Sequence, residues 1–206
     1  MLKEHLSITV KVFLVAAFSA GCMRNMNENV IRVDVDPRLG KYTWVDRVAV
    51  VPFDETHEGR RCIFGVKQKW PKDSGMIVSG LFANRLSRVS KLQVKGPSAV
   101  KEELDKIYPE PVSGFLSERE VKDISSALRA DALVVGDVVE YYTYLYGTLR
   151  QSRVSVRMKM VDAHTGETMW RGEFRMDDTA KPYDLARKGC EQIVAQVKER
   201  VGDKKR

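Results

Sequence analysis

Two stretches of the chain are apolar at nearly every position: Val48-Ala49-Val50-Val51-Pro52-Phe53 and Ala132-Leu133-Val134-Val135-Gly136-Asp137-Val138-Val139. Continuous β-branched runs of this kind belong to strands covered on both faces, and they are expected to be parallel neighbours in one sheet. Around them the spacing becomes helical. Asp73 or Ser74 is placed to cap a helix whose apolar face is Val78, Leu81, Phe82, Leu86 and Val89. Leu92-Gln93-Val94 predicts a short strand, Ser98 opens a brief helix to Ile107, and Ser117-Glu118-Arg119-Glu120 is a capping box ahead of Val121, Ile124 and Leu128. From Arg153 the period is two, with Val154, Val156, Met158 and Met160 on one face and Ser155, Arg157 and Lys159 on the other. Asp162 to Gly166 makes a turn, and Thr168, Trp170, Gly172, Phe174 and Met176 are expected to face inward on the return strand. Pro182 then opens a closing helix with Leu185, Gly189, Ile193 and Val197 on one side. The order predicts one α/β domain over residues 44–202, a mixed-sheet sandwich with helices on both faces.

The chain before this domain reads differently. Lys3 and Lys11 supply positive charge, Val12 to Ala20 is a nine-residue apolar or small run, and Ala20-Gly21 are small residues ahead of Cys22. This is the layout of an export signal over residues 1–21, and the run is far short of the roughly 20 residues a membrane-spanning helix needs. Residues 22–43 read as a tether with one short edge strand at Val30 to Val35. A tether of about 20 residues reaches about 25 Å on average if flexible.

The formal charge is +7, and loss of two lysines and one glutamate with the signal leaves +6. Such a balance suits anionic headgroups or cell-wall polymers. Export argues against nucleic acid as partner. Of three cysteines, Cys62 and Cys190 are left as a possible disulfide in an oxidising compartment, although the helical spacing of Cys190 with Ala186 and Ile193 is equally served by a small buried hydrophobe.

Candidate chemistry is sparse. Asp54, Glu55, His57, Glu58 and Cys62 follow the first buried strand, where α/β folds often place sites, but their spacing matches no metal pattern and a polar loop accounts for them. His164 sits in a turn beside Gly166, and no glycine-rich phosphate loop or nucleophile motif is present. Neither a cofactor nor a bound metal is expected. Tyr141, Tyr142, Tyr144 and Tyr146 crowd the end of the central strand, which fits either a binding hot spot or plain cross-strand packing. With Phe64 and Trp70 of the loop after the first strand, Tyr141, Tyr144 and Tyr146 form the candidate partner-binding set.

Ser19-Ala20-Gly21-Cys22 resembles a lipobox, with Ser19 where that motif usually has leucine; the alternative is an ordinary signal peptide cut nearby. Val48 to Phe53, Ala130 to Gly136 and Val161 to Trp170, in this order, resemble the periplasmic lipoprotein domain shared by CsgG, LpoB and the N-terminal domain of TolB. The resemblance implies a lipid anchor on Cys22 and a non-catalytic module of the envelope, an outer-membrane lipoprotein facing the periplasm. Its expected partners are the bilayer, an envelope protein and, as an option, further copies of itself. The resemblance leaves open an activator of a peptidoglycan synthase, a subunit of a CsgG-like secretion complex and, in a different class, a metal-dependent enzyme using His57 and Cys62.

Overall fold

The computed structural model describes residues 29–36, 45–55, 72–89, 92–108, 116–146 and 149–202. The elements are β1 (Val30–Val35), β2 (Arg47–Val50), α1 (Ser74–Val89), β3 (Gln93–Lys95), α2 (Pro97–Leu104), α3 (Glu118–Leu128), β4 (Ala132–Tyr146), β5 (Leu149–Asp162), β6 (Thr168–Asp178) and α4 (Pro182–Gly202). The strands form one mixed sheet in the order β1-β6-β5-β4-β2-β3. The two apolar runs are parallel neighbours, Val48 opposite Ala132 and Val50 opposite Val134, as their patterning predicts.

Helices stand on both faces. On one, α1 and α4 cover Val50, Val134, Val156, Met158, Met160, Trp170 and Phe174. On the other, α2 and α3 cover Ala49, Val51, Leu133, Val135 and Val161. Trp170 is 2% exposed and packs against Phe82 with ring centroids 5.8 Å apart, so the inward phase read from its alternation is correct.

Local chemistry sets the element ends. The Ser117 hydroxyl accepts from the Glu120 N–H at 3.3 Å, and the Glu120 carboxylate accepts from the Ser117 N–H at 2.8 Å, which closes the capping box of α3. At α1 the carboxylate comes from farther away than the pattern suggests: Glu55 accepts from the Gly75 N–H at 3.0 Å, while Asp73 sits in the left-handed region at φ 69°.

Two expectations of phase need correction. Met160 stands opposite Trp170 but Val161 stands opposite Thr168, so Met169 is an extra residue and Thr168 falls on the α2/α3 side. The central strand runs on through its tyrosines to Tyr146, but their simple alternation is broken because it too contains a bulge: Val138 faces Val156 while Glu140 faces Ser155. Val139 is the extra residue. The hairpin β4–β5 is thereby one long ribbon of 15 and 14 residues.

Candidate interaction surface

α2 and α3 cover the β2 side of their face and stop short of the rest. What remains is a sheet surface on β4, β5, β6 and β1 whose alternate residues are polar because they meet water. Across it the register sets charges in rows. Arg157 lies 3.7 Å from Asp137, Arg32 3.5 Å from Glu173, and Arg175 3.6 Å from Glu140. The exposed Arg32–Glu173 pair contributes at most about 1 kcal/mol, whereas Asp137 and Glu140 are largely covered. A shallow groove of about 560 Å³ runs over this surface, lined by Val135, Asp137, Arg157, Lys159 and Arg171 among others. Lys159 and Arg171 are directly opposite on β5 and β6, a like-charge pair, and Asp34 stands opposite Arg171 on its other side, on β1.

One part of this face is not solvated. The Arg153 side chain is 12% exposed and that of Asp177 3%, with Arg153 Nε donating to Asp177 Oδ2 at 2.9 Å and Nη2 to the same oxygen at 2.5 Å. The Tyr144 hydroxyl lies 2.7 Å from Gln151 Oε1 and 3.2 Å from both Asp177 oxygens. The Arg153 guanidinium also stands 5.7 Å over the Tyr144 ring, and Glu140 lies 3.8 Å from Arg153. Burial alone would favour loss of the Arg153 proton, but the Asp177 hydrogen bond and the charges around it outweigh that and hold the guanidinium ionised more firmly than usual. Burial, then the Glu140 charge, pushes the Tyr142 phenol up to about 12, and burial beside Asp177 raises Tyr144. The cluster is a set of satisfied polar groups, not a reactive one.

The bulge at Val139 decides which tyrosines join it. Tyr142 and Tyr144 face the open side, whereas Tyr141 faces α4 and is part of the core. Tyr141, Tyr142 and Tyr144 are 3%, 3% and 8% exposed, so the exposed aromatic patch suggested by the sequence is, at these positions, a buried one. Tyr146 continues β4 opposite Leu149. Phe64, Trp70, His57, Glu58, Cys62 and Cys22 lie outside the described residues. Cys190 carries a free thiol, 1% exposed in the core and 3.9 Å from the Val78 carbonyl oxygen. His164 occupies the β5–β6 turn, where its N–H and that of Thr165 donate to Asp162 Oδ1 at 2.7 and 2.8 Å. Sequence reasoning missed Arg153 and Asp177; the available signal was their phase, a charged residue directly opposite another on paired strands.

No family model and no curated protein matches the chain. Solved structures do. PelC from Paraburkholderia phytofirmans, solved as a dodecamer, superposes with a TM-score of 0.53 at 16% identity over 82% of this chain and 96% of that one. Lipoprotein GNA1162 from Neisseria meningitidis superposes with a TM-score of 0.53 at 21% identity over 75% of this chain and 99% of that one. The chain shares their fold. The LpoB C-terminal domain from Salmonella enterica aligns more loosely, with a TM-score of 0.43 and 11% identity over 68% of this chain and 93% of that one. At such identities the likeness is one of architecture: a mixed six-stranded sheet in a single α/β layer structure.

Proposed function

We propose that the chain is a non-catalytic lipoprotein of the bacterial envelope, anchored through lipid on Cys22 in the outer membrane, and that the open sheet face docks an envelope protein on the periplasmic side. The observation that carries this reading is the face itself: four strands wide, bare of helices among the described residues, and stapled rigid by Arg153 and Asp177. A rigid polar face with a groove fits recognition better than chemistry, since its donors and acceptors are already paired with one another. The shared fold with a protein described as a lipoprotein favours the envelope.

Other readings fare less well on the same geometry. A membrane-crossing strand needs about 9–11 residues, and the β4–β5 ribbon extends only three residues per strand beyond the last partner of β6. In the loop proposed for metal chemistry, Glu55 is spent on the N-terminus of α1. Lys159 and Arg171, set against the single carboxylate of Asp34 in this row, favour a partner with acidic groups.

The test is a photo-crosslinker at Arg175 in native envelope, compared with the same chain carrying Lys159→Glu and Arg171→Glu. Loss of the crosslinked product at unchanged thermal stability is expected. Undiminished capture would place the binding face elsewhere. The mass of the product separates a foreign protein from a second copy of this chain, the arrangement that the PelC dodecamer makes worth reading.

A further inference from the structure

Among the described residues four large hydrophobic side chains are exposed, Leu145, Leu149 and Tyr183 at 58%, 58% and 50%, and Ile107 at 52%. The first three share one end of the domain. β4 reaches that end at Tyr146 and β5 leaves it at Leu149. β6 arrives there at Asp178, opposite Ser152, and α4 departs from it at Pro182. Past Ser152 the ribbon has no third strand, so Tyr144 to Tyr146 and Leu149 to Gln151 project beyond the sheet.

The chain enters the domain at this same end. β1 runs antiparallel to β6 with Val30 opposite Arg175, and Asn29 Oδ1 accepts the Asp177 N–H at 3.0 Å, which pins the start of β1 beside the end of β6. Only Met23 to Glu28 separate Cys22 from Asn29. Seven residue steps span at most about 25 Å. The sequence alone suggested a longer leash; because β1 belongs to the sheet, a lipid on Cys22 holds this end close to the bilayer.

We propose that the β4–β5 tip, through Leu145 and Leu149, together with Tyr183 at the start of α4, seats in the headgroup region of the bilayer that holds the Cys22 lipid. The proposal rests on lipidation of Cys22. Three residues of projecting ribbon are about 10 Å, which matches the depth of roughly 5–10 Å at which interfacial segments lie and cannot cross. The flanking chemistry agrees: Arg150 follows Leu149, Lys181 precedes Tyr183, and Asp184 lies 3.9 Å from Arg187. Basic residues beside leucine and tyrosine are what anionic headgroups over acyl chains attract. Among the described residues no helix is long and apolar enough to cross a membrane. The lipid on Cys22 tethers the chain without orienting it, and a protein-borne contact would fix the orientation of the domain and turn its open sheet face sideways to the membrane.

The test uses the full chain, matured in cells and reconstituted into phosphatidylethanolamine and phosphatidylglycerol vesicles with bromine in the acyl chains. Leu149→Trp and Leu145→Trp are compared with Thr165→Trp, which sits in the exposed turn at the opposite end of the sheet. Palmitate labelling is measured on the same samples. Labelled protein whose added emission at 149 and 145 is largely quenched, while that at 165 is spared, is the expected result. Labelled protein with all three positions unquenched overturns the tip contact and leaves the anchor standing. A blue-shifted but unquenched signal at 149 means burial against protein and overturns it equally. Absence of label removes the anchor, and the proposal with it.

Discussion

Two ring carbons of Phe174 lie 2.5 Å from where a β-carbon on Gly189 would stand. This contact between β6 and α4 sets how closely the closing helix lies on the sheet, and it explains a glycine in the middle of a 21-residue helix that would otherwise be weakened by it. Phe174 is 1% exposed and has nowhere to retreat.

Gly189→Ala is therefore expected to destabilise the domain. Overpacking costs about 1–3 kcal/mol, against about 1 kcal/mol gained in helix propensity, and with contacts as close as 2.5 Å to a ring that has nowhere to go the upper end applies, for a net loss of about 2 kcal/mol. That corresponds to a fall of several degrees in melting temperature. Gly80→Ala in α1 is the control, since its β-carbon would meet nothing closer than Pro97 at 3.9 Å and the propensity gain should appear undiminished. Thermal melts of both variants decide the matter; a stabilised Gly189→Ala would show that α4 sits farther from the sheet.

The buried pair Arg153 and Asp177 should behave as a unit. Removing one partner strands a charge that is almost out of water, at a cost of about 3–5 kcal/mol. Arg153→Met alone and Asp177→Leu alone are each expected to lose that much, while Arg153→Met with Asp177→Leu recovers most of it, because two apolar residues need no counterion. Denaturant melts of the three variants give the coupling. Additive losses would mean that the two side chains do not compensate each other.

Much of this is legible in the sequence. Alternating Val154 to Met160 and the in-phase Trp170, Phe174 and Met176 identify the covered face because a strand has a fixed period of two, and the capping box at Ser117 names its own helix start. The candidate surface was not legible for the same reason. A bulge adds one residue without a compositional mark, and every side chain beyond Val139 then faces opposite to the simple alternation. That shift is why Tyr141 enters the core while Tyr142 and Tyr144 join Arg153. Which charged residues would be buried depended on β6 ending beside the tip of β4–β5, a pairing set by the whole sheet.

Low pH should loosen the start of the parallel strands. Asp131 Oδ1 accepts from Arg47 Nη2 at 2.8 Å, and its Oδ2 accepts from the backbone N–H groups of Arg47 and Asp46 at 2.9 and 3.1 Å. The Arg47 hydrogen bond, acting against partial burial, holds the carboxyl at about 2, below its ordinary 3.8. A depressed carboxylate favours the fold wherever the unfolded chain would already ionise, so the contribution is whole above about pH 4 and fades as pH falls toward 2. The gap in melting temperature between the native chain and Asp131→Asn should thus be full at pH 6 and close between pH 4 and 2. A gap that stays constant down to pH 2 would mean that Arg47 does not stabilise the carboxylate.

The bulge itself can be tested by deleting Val139. Without the extra residue the ladder becomes regular: Glu140 follows Val138 directly and keeps its place opposite Ser155, Tyr141 stays in the core, and Tyr142 and Tyr144 stay beside Arg153 and Asp177. What is lost is the local twist that the bulge adds to the ribbon and the half-buried Val139 side chain, a small part of the roughly 5–15 kcal/mol that holds such a domain together. Deletion of Val139 is therefore expected to leave a cooperative melt and the near-ultraviolet dichroism of the packed aromatics. Val139→Ala keeps the residue count and the phase, and because Val139 is only half-buried it should cost about 1 kcal/mol or less. The contrast between a deletion and a truncation at the same position separates the bulge from the side chain it carries. A deletion variant that loses its cooperative melt would show that Val139 is not the extra residue, and the assignment of Tyr142 and Tyr144 to the open face would fall.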